Sequence, residues 1–114
     1  MTIPKHYSIP EVLTKVNLFL PFQTFDGNLV KMQSQRYKLF MRDIHKLHCT
    51  TCGIKATHFL LQRGDDDIRY HFNLFSDDTL MTKDHIIAKS KGGRNVLQNY
   101  QIMCTYCNNE KGNK

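Results

Sequence analysis

Thr82-Lys-Asp-His85-Ile-Ile-Ala-Lys-Ser-Lys-Gly-Gly93 and Asn99-Tyr-Gln-Ile-Met-Cys104-Thr-Tyr-Cys107-Asn108-Asn-Glu-Lys-Gly112 carry most of the chemistry in this chain. The first stretch sets a carboxylate, Asp84, directly before an imidazole, His85. The second sets a Cys-x-x-Cys pair directly before an amide, Asn108. A matching pair, Cys49-Thr-Thr-Cys52, stands far upstream. Each pair can turn two sulfurs onto one ion through a tight knuckle, and four thiolates close a tetrahedral Zn²⁺ site with no open position. Gly53, directly after Cys52, fits a knuckle that needs unusual backbone angles. Such a closed site is structural, so Cys49, Cys52, Cys104 and Cys107 are expected to hold zinc for folding and not for chemistry. The alternatives are buried free thiols or two disulfides. In a reducing compartment, paired Cys-x-x-Cys motifs favour metal. His48, beside Cys49, offers a substitute ligand.

Hydrolysis of a phosphodiester by a metal nuclease needs a base to take a proton from water, a divalent cation to stabilise charge, and ligands that leave room for substrate. Asp84 is a hard oxygen ligand suited to Mg²⁺ or Mn²⁺. His85 has the intrinsic pKa of a base working near neutrality. Asn108 follows the second knuckle, on an expected helix, and could return a neutral ligand to the same cation. Neighbouring residues on a flat strand face opposite sides. Asp84 and His85 can therefore meet one phosphate only if the strand twists or ends there.

Together, Asp84-His85-Ile86-Ile87, the Lys89-Ser-Lys-Gly-Gly93 loop, Asn99 and Cys104-x-x-Cys107-Asn108 resemble the HNH endonuclease family. The resemblance covers roughly residues 47 to 113. It implies a ββα-metal unit in which the Asp-His pair ends the first strand, a central Asn stabilises the intervening loop, and a last His or Asn on the helix binds metal. Carried onto this chain, the catalytic set is Asp84, His85, Asn99 and Asn108. Asn rather than His at the last position is a weaker ligand and favours hard ions over Zn²⁺ or Ni²⁺. Small HNH proteins of this form are frequent in bacteriophages, so the resemblance also implies a phage origin and a host cytoplasm as its place of work.

The chain has 114 residues and a formal net charge of +6. That length suits one domain with a modest core, which a structural metal would help to fold. The basic balance is consistent with a polyanionic partner such as DNA. Lys83, Lys89, Lys91 and Arg94 cluster beside the expected site, with Lys111 and Lys114 extending the patch, and they could contact phosphates. A solvated basic loop is the competing reading. The N-terminus lacks the charged-then-apolar pattern of a signal peptide. No apolar run approaches the length that spans a bilayer. A cytosolic protein is expected.

The expected architecture is α+β, a single domain over residues 1–114. Residues 1–46 form a helix/hairpin/helix extension, and residues 47–114 form the zinc-stapled core with an inserted β-hairpin. Ser8-Ile-Pro-Glu11 reads as a capping box that opens a helix from Ile9 to Asn17. Leu18 to Thr24 reads as extended, and Asp26-Gly27-Asn28 as a hairpin turn. Ser34 offers an N-cap to a helix whose face carries Tyr37, Phe40, Met41 and Ile44. Strands are expected over Thr57–Gln62, Ile68–Leu74 and Leu80–Ile87, separated by turns at Gly64–Asp67 and Ser76–Asp78. A short helix is expected after Cys104, ending near Gly112. His71 could approach the site from its strand, although a half-buried structural role suits it better. Asp65-Asp66-Asp67 reads as a solvated turn.

Two functions compete. One is a DNA endonuclease working as a monomer that nicks duplex. The other is a non-catalytic nucleic-acid- or protein-binding module that keeps the zinc scaffold, for example within a phage assembly. A pure binder has no need of Asp84, His85 and Asn108 together, which favours the enzyme.

Overall fold

Asp26 and Gly27 both take positive φ, 52° and 82°. These angles match the right-handed twist of the strands they join, so the turn closes a tight hairpin. In the computed structural model, which describes residues 5–112, that hairpin is β2 (Phe22–Phe25) with β3 (Asn28–Lys31). Before it come β1 (Lys5–Tyr7) and α1 (Ile9–Leu13). After it come α2 (Gln35–Arg42), β4 (His58–Gln62), β5 (His71–Ser76), β6 (Thr79–His85), β7 (Tyr100–Cys104) and α3 (Thr105–Lys111). Short 3₁₀ turns cover Lys89–Lys91 and Leu97–Asn99. The main sheet has the order β1-β4-β5-β6-β7, antiparallel throughout. The class is α+β, with β6, β7 and α3 as a strand–strand–helix unit beside the cysteines.

Burial alternates along β4 and β5. Phe59, Leu61, Phe72 and Leu74 face inward, meeting Tyr37, Leu39 and Phe40 of α2 in the core. Phe72 is wholly buried, with Tyr7, Phe25 and Phe59 edge-on to its ring. Such a ring contributes about 1.5–3 kcal/mol through burial alone.

The sheet forks. β5 and β6 pair only at Phe75–Leu80 and Ser76–Thr79, next to their connecting turn. Beyond that, β5 stays with β4 while β6 pairs with β7. The free edge of β5 must find other partners, because an unpaired buried amide costs about 1–3 kcal/mol. The amide of Phe72 donates to the Tyr37 hydroxyl at 2.8 Å, and the amide of Tyr70 donates to the Leu29 carbonyl at 2.7 Å. The start of α2 therefore supports the fork. Ser34 caps it by accepting from the Arg36 amide. At its other end, Arg42 donates to the carbonyls of Leu97 and Tyr100, at 2.8 and 3.0 Å. Residues from the N-terminal part thus hold the start of β7, the strand paired with the one that carries Asp84 and His85.

Several elements are shorter than the sequence predicts. The capping box at Ser8 and Glu11 forms. The helix nevertheless stops at Leu13, where the Thr14 hydroxyl bonds back to the Pro10 carbonyl. Leu18–Pro21 is turn and not strand, because Asn17 and Gln23 side chains take up local backbone groups. Ile68 is 77% exposed, and β5 begins only at His71. There the Asp67 carboxylate accepts from the Arg69 amide, an Asx turn that competes with strand pairing. The Arg69 amide and guanidinium hold the Asp67 carboxyl down to about 2. β6 ends at His85 rather than Ile87, for a reason that lies in the site itself. The short edge strand β1 carries no signal strong enough to stand out in the sequence.

Candidate active site

Cα pairing in the β6–β7 ladder sets Asp84 opposite Gln101 and His85 opposite Tyr100. Asp84 shares its face with Thr82, Gln101 and Met103. His85 shares the other with Met81, Lys83, Tyr100 and Ile102. The two functional side chains would diverge if β6 continued. It is stopped by Asn99, whose buried amide oxygen accepts from the Ile87 amide at 2.9 Å. The Asn99 nitrogen donates to the carbonyls of Ile87 and Arg94 at 3.1 and 3.0 Å. The Asn99 carbonyl also accepts from the Ile86 amide. One residue thus gathers both ends of the loop 86–98. Gly93 completes the closure. A Cβ there would lie 1.7 Å from the Ile87 carbonyl oxygen, so only glycine allows the crossing.

With the strand ended, Asp84, His85, Asn108 and Lys111 line one cavity of about 260 Å³, with Lys83 and Lys89 on its wall. The Asp84 carboxylate is buried and accepts from Gln101 at 2.9 Å and from the Lys111 ammonium at 2.7 Å. Lys111 also donates to the His85 carbonyl at 2.5 Å. Asn108 donates through its amide nitrogen to the Thr82 hydroxyl at 2.8 Å, leaving its oxygen as the atom that can meet a cation. His85 meets Tyr100 edge-on at 5.1 Å between centroids, and Lys83 lies 4.2 Å over the same ring. His85 Nε2 bonds the Asn95 amide oxygen at 2.8 Å. An amide oxygen can only accept, so Nε2 carries a hydrogen, and in the neutral ring Nδ1 is the nitrogen left with a lone pair.

The donor set suits a hard divalent cation, since a carboxylate and an amide oxygen border one open space; the Lys111 ammonium now on Asp84 would compete with such an ion. Lys89 and Lys91 lie on the exposed loop that Asn99 closes, and Arg94 follows them there. Lys111, read from the sequence as a phosphate contact, lines the cavity and pairs with Asp84. His71 stands 3.5 Å from Asp67, away from this cavity. Gln101 could be found from the sequence only by drawing β7 opposite β6. Nothing in the sequence singles out Asn95 or Arg42.

The second site lies at the base of the same unit. The sulfurs of Cys49, Cys52, Cys104 and Cys107 all lie within 4.8 Å of one another, with Cys52 and Cys104 3.8 Å apart. A Zn–S bond of about 2.3 Å demands tetrahedral S···S edges of roughly 3.8 Å. The Cys49 sulfur accepts from the Cys52 amide, and the Cys104 sulfur from the Cys107 amide. The second of these bonds is also the N-cap of α3. Gly53 turns the first knuckle at φ 80°, with its amide on the Cys49 carbonyl. Burial works against a Cys49 thiolate, but amides of Cys52, Cys104 and Thr51 outweigh it and bring the thiol down to about 6. Hydrogen bonding to Cys104, then burial and the other sulfurs, push Cys107 up to about 12. Four sulfurs packed this closely cannot all ionise unless a cation joins them, so the cluster is compatible with structural zinc. His48 is not part of it; its Nδ1 contacts the Cys49 carbonyl.

A strand ended by a carboxylate–imidazole pair, a second strand, a helix returning an amide, and a four-cysteine clamp define a zinc-compatible ββα-metal protein. Residues 64–114, which hold all of this except the first knuckle, match the HNH endonuclease family model. Curated proteins and solved structures give no match. Among the described residues, no helix is long and apolar enough to cross a membrane.

Proposed function

We propose that the chain is a metal-dependent endonuclease that hydrolyses DNA phosphodiester bonds one strand at a time. The observation that carries this reading is the single cavity lined by Asp84, His85, Asn108, Lys83 and Lys111 where β6 ends. Asp84 and the Asn108 oxygen would hold Mg²⁺ or Mn²⁺, which when bound stabilises charge on the phosphate and the leaving oxygen. His85 takes a proton from the attacking water at Nδ1, with Nε2 held by Asn95. Tyr100 supports the imidazole from below, and Asn99 fixes the loop on which Asn95 sits. Lys83 and Lys89 offer charge to the phosphate. Zinc on the four cysteines holds α3, and hence Asn108, against β6 and β7.

The test is cleavage of end-labelled duplex DNA with Mg²⁺ or Mn²⁺. His85→Ala should lose about 10²- to 10⁴-fold in rate, the usual worth of a general base. Asp84→Ala should lose activity that higher Mn²⁺ partly restores. Wild-type rates from His85→Ala would remove the assigned role.

A further inference from the structure

Arg36 and Arg63 lie outside the segment that matches the family, and neither has an ion-pair partner among the described residues. We propose that they form the far end of a cationic groove that carries the DNA backbone flanking the scissile phosphate. This rests on the endonuclease reading above and names where its substrate runs.

Three neighbouring cavities share lining residues in turn. The active-site cavity shares Lys83 with a neighbouring cavity of about 440 Å³ between the start of α2 and β6, walled by Ser34, Arg36, Leu80 and Thr82. That cavity shares Arg36 with a third, of about 480 Å³, lined by Gln62, Arg63, His71 and Asn73. The first two carry residues of β6, and the third carries residues of β5, the strand that parts from β6 at the fork. These strands are antiparallel, so His71 at the start of one prong and His85 at the end of the other lie at the same end of the sheet.

The cations are held in place. Arg36 Nη1 donates to the Asn73 oxygen at 2.7 Å, and the Asn73 nitrogen donates to Gln62 at 2.7 Å. One N–H of the guanidinium is used, which leaves others for bidentate contact with a phosphate. Arg63 lies 5.4 Å over the Tyr70 ring. Acidic residues are near but do not oppose this use. Asp67 is engaged by Arg69 and His71. Asp65 and Asp66 sit in the exposed turn and do not line the cavity.

The experiment is a DNA-binding titration over a range of salt, without added divalent metal so that nothing is cut. It compares the native chain, R36Q, R63Q, the double variant, and K38Q as an exposed basic control on α2. Each lost phosphate contact should flatten the log–log salt slope by about 0.9 for duplex DNA, so the double variant should lose about 1.8. K38Q should keep the native slope. Arg63 is exposed and its side chain makes no hydrogen bond among the described residues, so R63Q decides the matter if R36Q unfolds. Native slopes in R63Q, or an equal loss in K38Q, overturn the groove. The endonuclease reading fails separately: a native protein that never cuts with Mg²⁺ or Mn²⁺, yet loses slope on R63Q, keeps the groove and discards the reaction.

Discussion

Lys111 places a positive charge on Asp84, the same carboxylate that a catalytic cation would use. The ammonium satisfies a buried acid when no metal is near. A divalent cation arriving there meets like charge, worth about 1.4 kcal/mol or more even with strong screening. Lys111→Met is therefore expected to bind Mn²⁺ about 10-fold more tightly, measured by calorimetry. It should also be less stable without metal, since Asp84 keeps only Gln101 as partner. Unchanged or weaker Mn²⁺ affinity would mean that the cation does not use Asp84. The sequence singles out Asp84, His85 and Asn108 as candidates because their chemistry is paired with spacing, and the structure places all three on one cavity. Lys111 was legible only as a charge. Its inward turn depends on α3 crossing the end of β6, which no local pattern encodes.

Two elements control the site: the zinc-compatible knuckles and the loop that follows His85. The knuckles tie Cys49 and Cys52 to the junction of β7 and α3, and the Thr50 amide donates to the Ile102 carbonyl between them. A structural Zn²⁺ can supply roughly 10 kcal/mol or more of apparent binding energy, as much as the whole stability of a small domain. Cys104→Ser should therefore yield unfolded or insoluble protein, and elemental analysis of the folded native chain should find one zinc. Folded protein without zinc would contradict this. In the loop, Gly93→Ala forces a methyl into the Ile87 carbonyl. Overpacking of that kind costs about 1–3 kcal/mol. Thermal denaturation should show the loss, together with weaker cleavage as His85 loses its fixed support. A Gly93→Ala protein with native melting and native rate would show that the loop closes another way.

At the scale of the whole molecule, the N-terminal part is woven into the strands that bear the site. β1 extends the sheet beside β4, Tyr37 seals the edge of β5, and Arg42 holds the start of β7. The sequence shows the hairpin turn at Asp26-Gly27 and the cap at Ser34 because turn and cap chemistry are local. It does not show the fork between β5 and β6, because a strand's alternation says which face is buried but not which neighbour it leaves. The fork is what makes room for a groove, and with it a role for Arg36 that composition alone cannot assign.

The central claim is one metal-dependent active site per chain, engaging one phosphate at a time. A duplex has antiparallel strands, and cutting both together would need a two-fold pair of sites. The most direct measurement is a time course on supercoiled plasmid with Mg²⁺ or Mn²⁺, beside His85→Ala. Open circles should accumulate first, linear molecules should follow only as nicks build up, and His85→Ala should leave the plasmid supercoiled. Plasmid that stays supercoiled with the native protein in both metals, or linear product at the earliest times without open circles, would contradict the account.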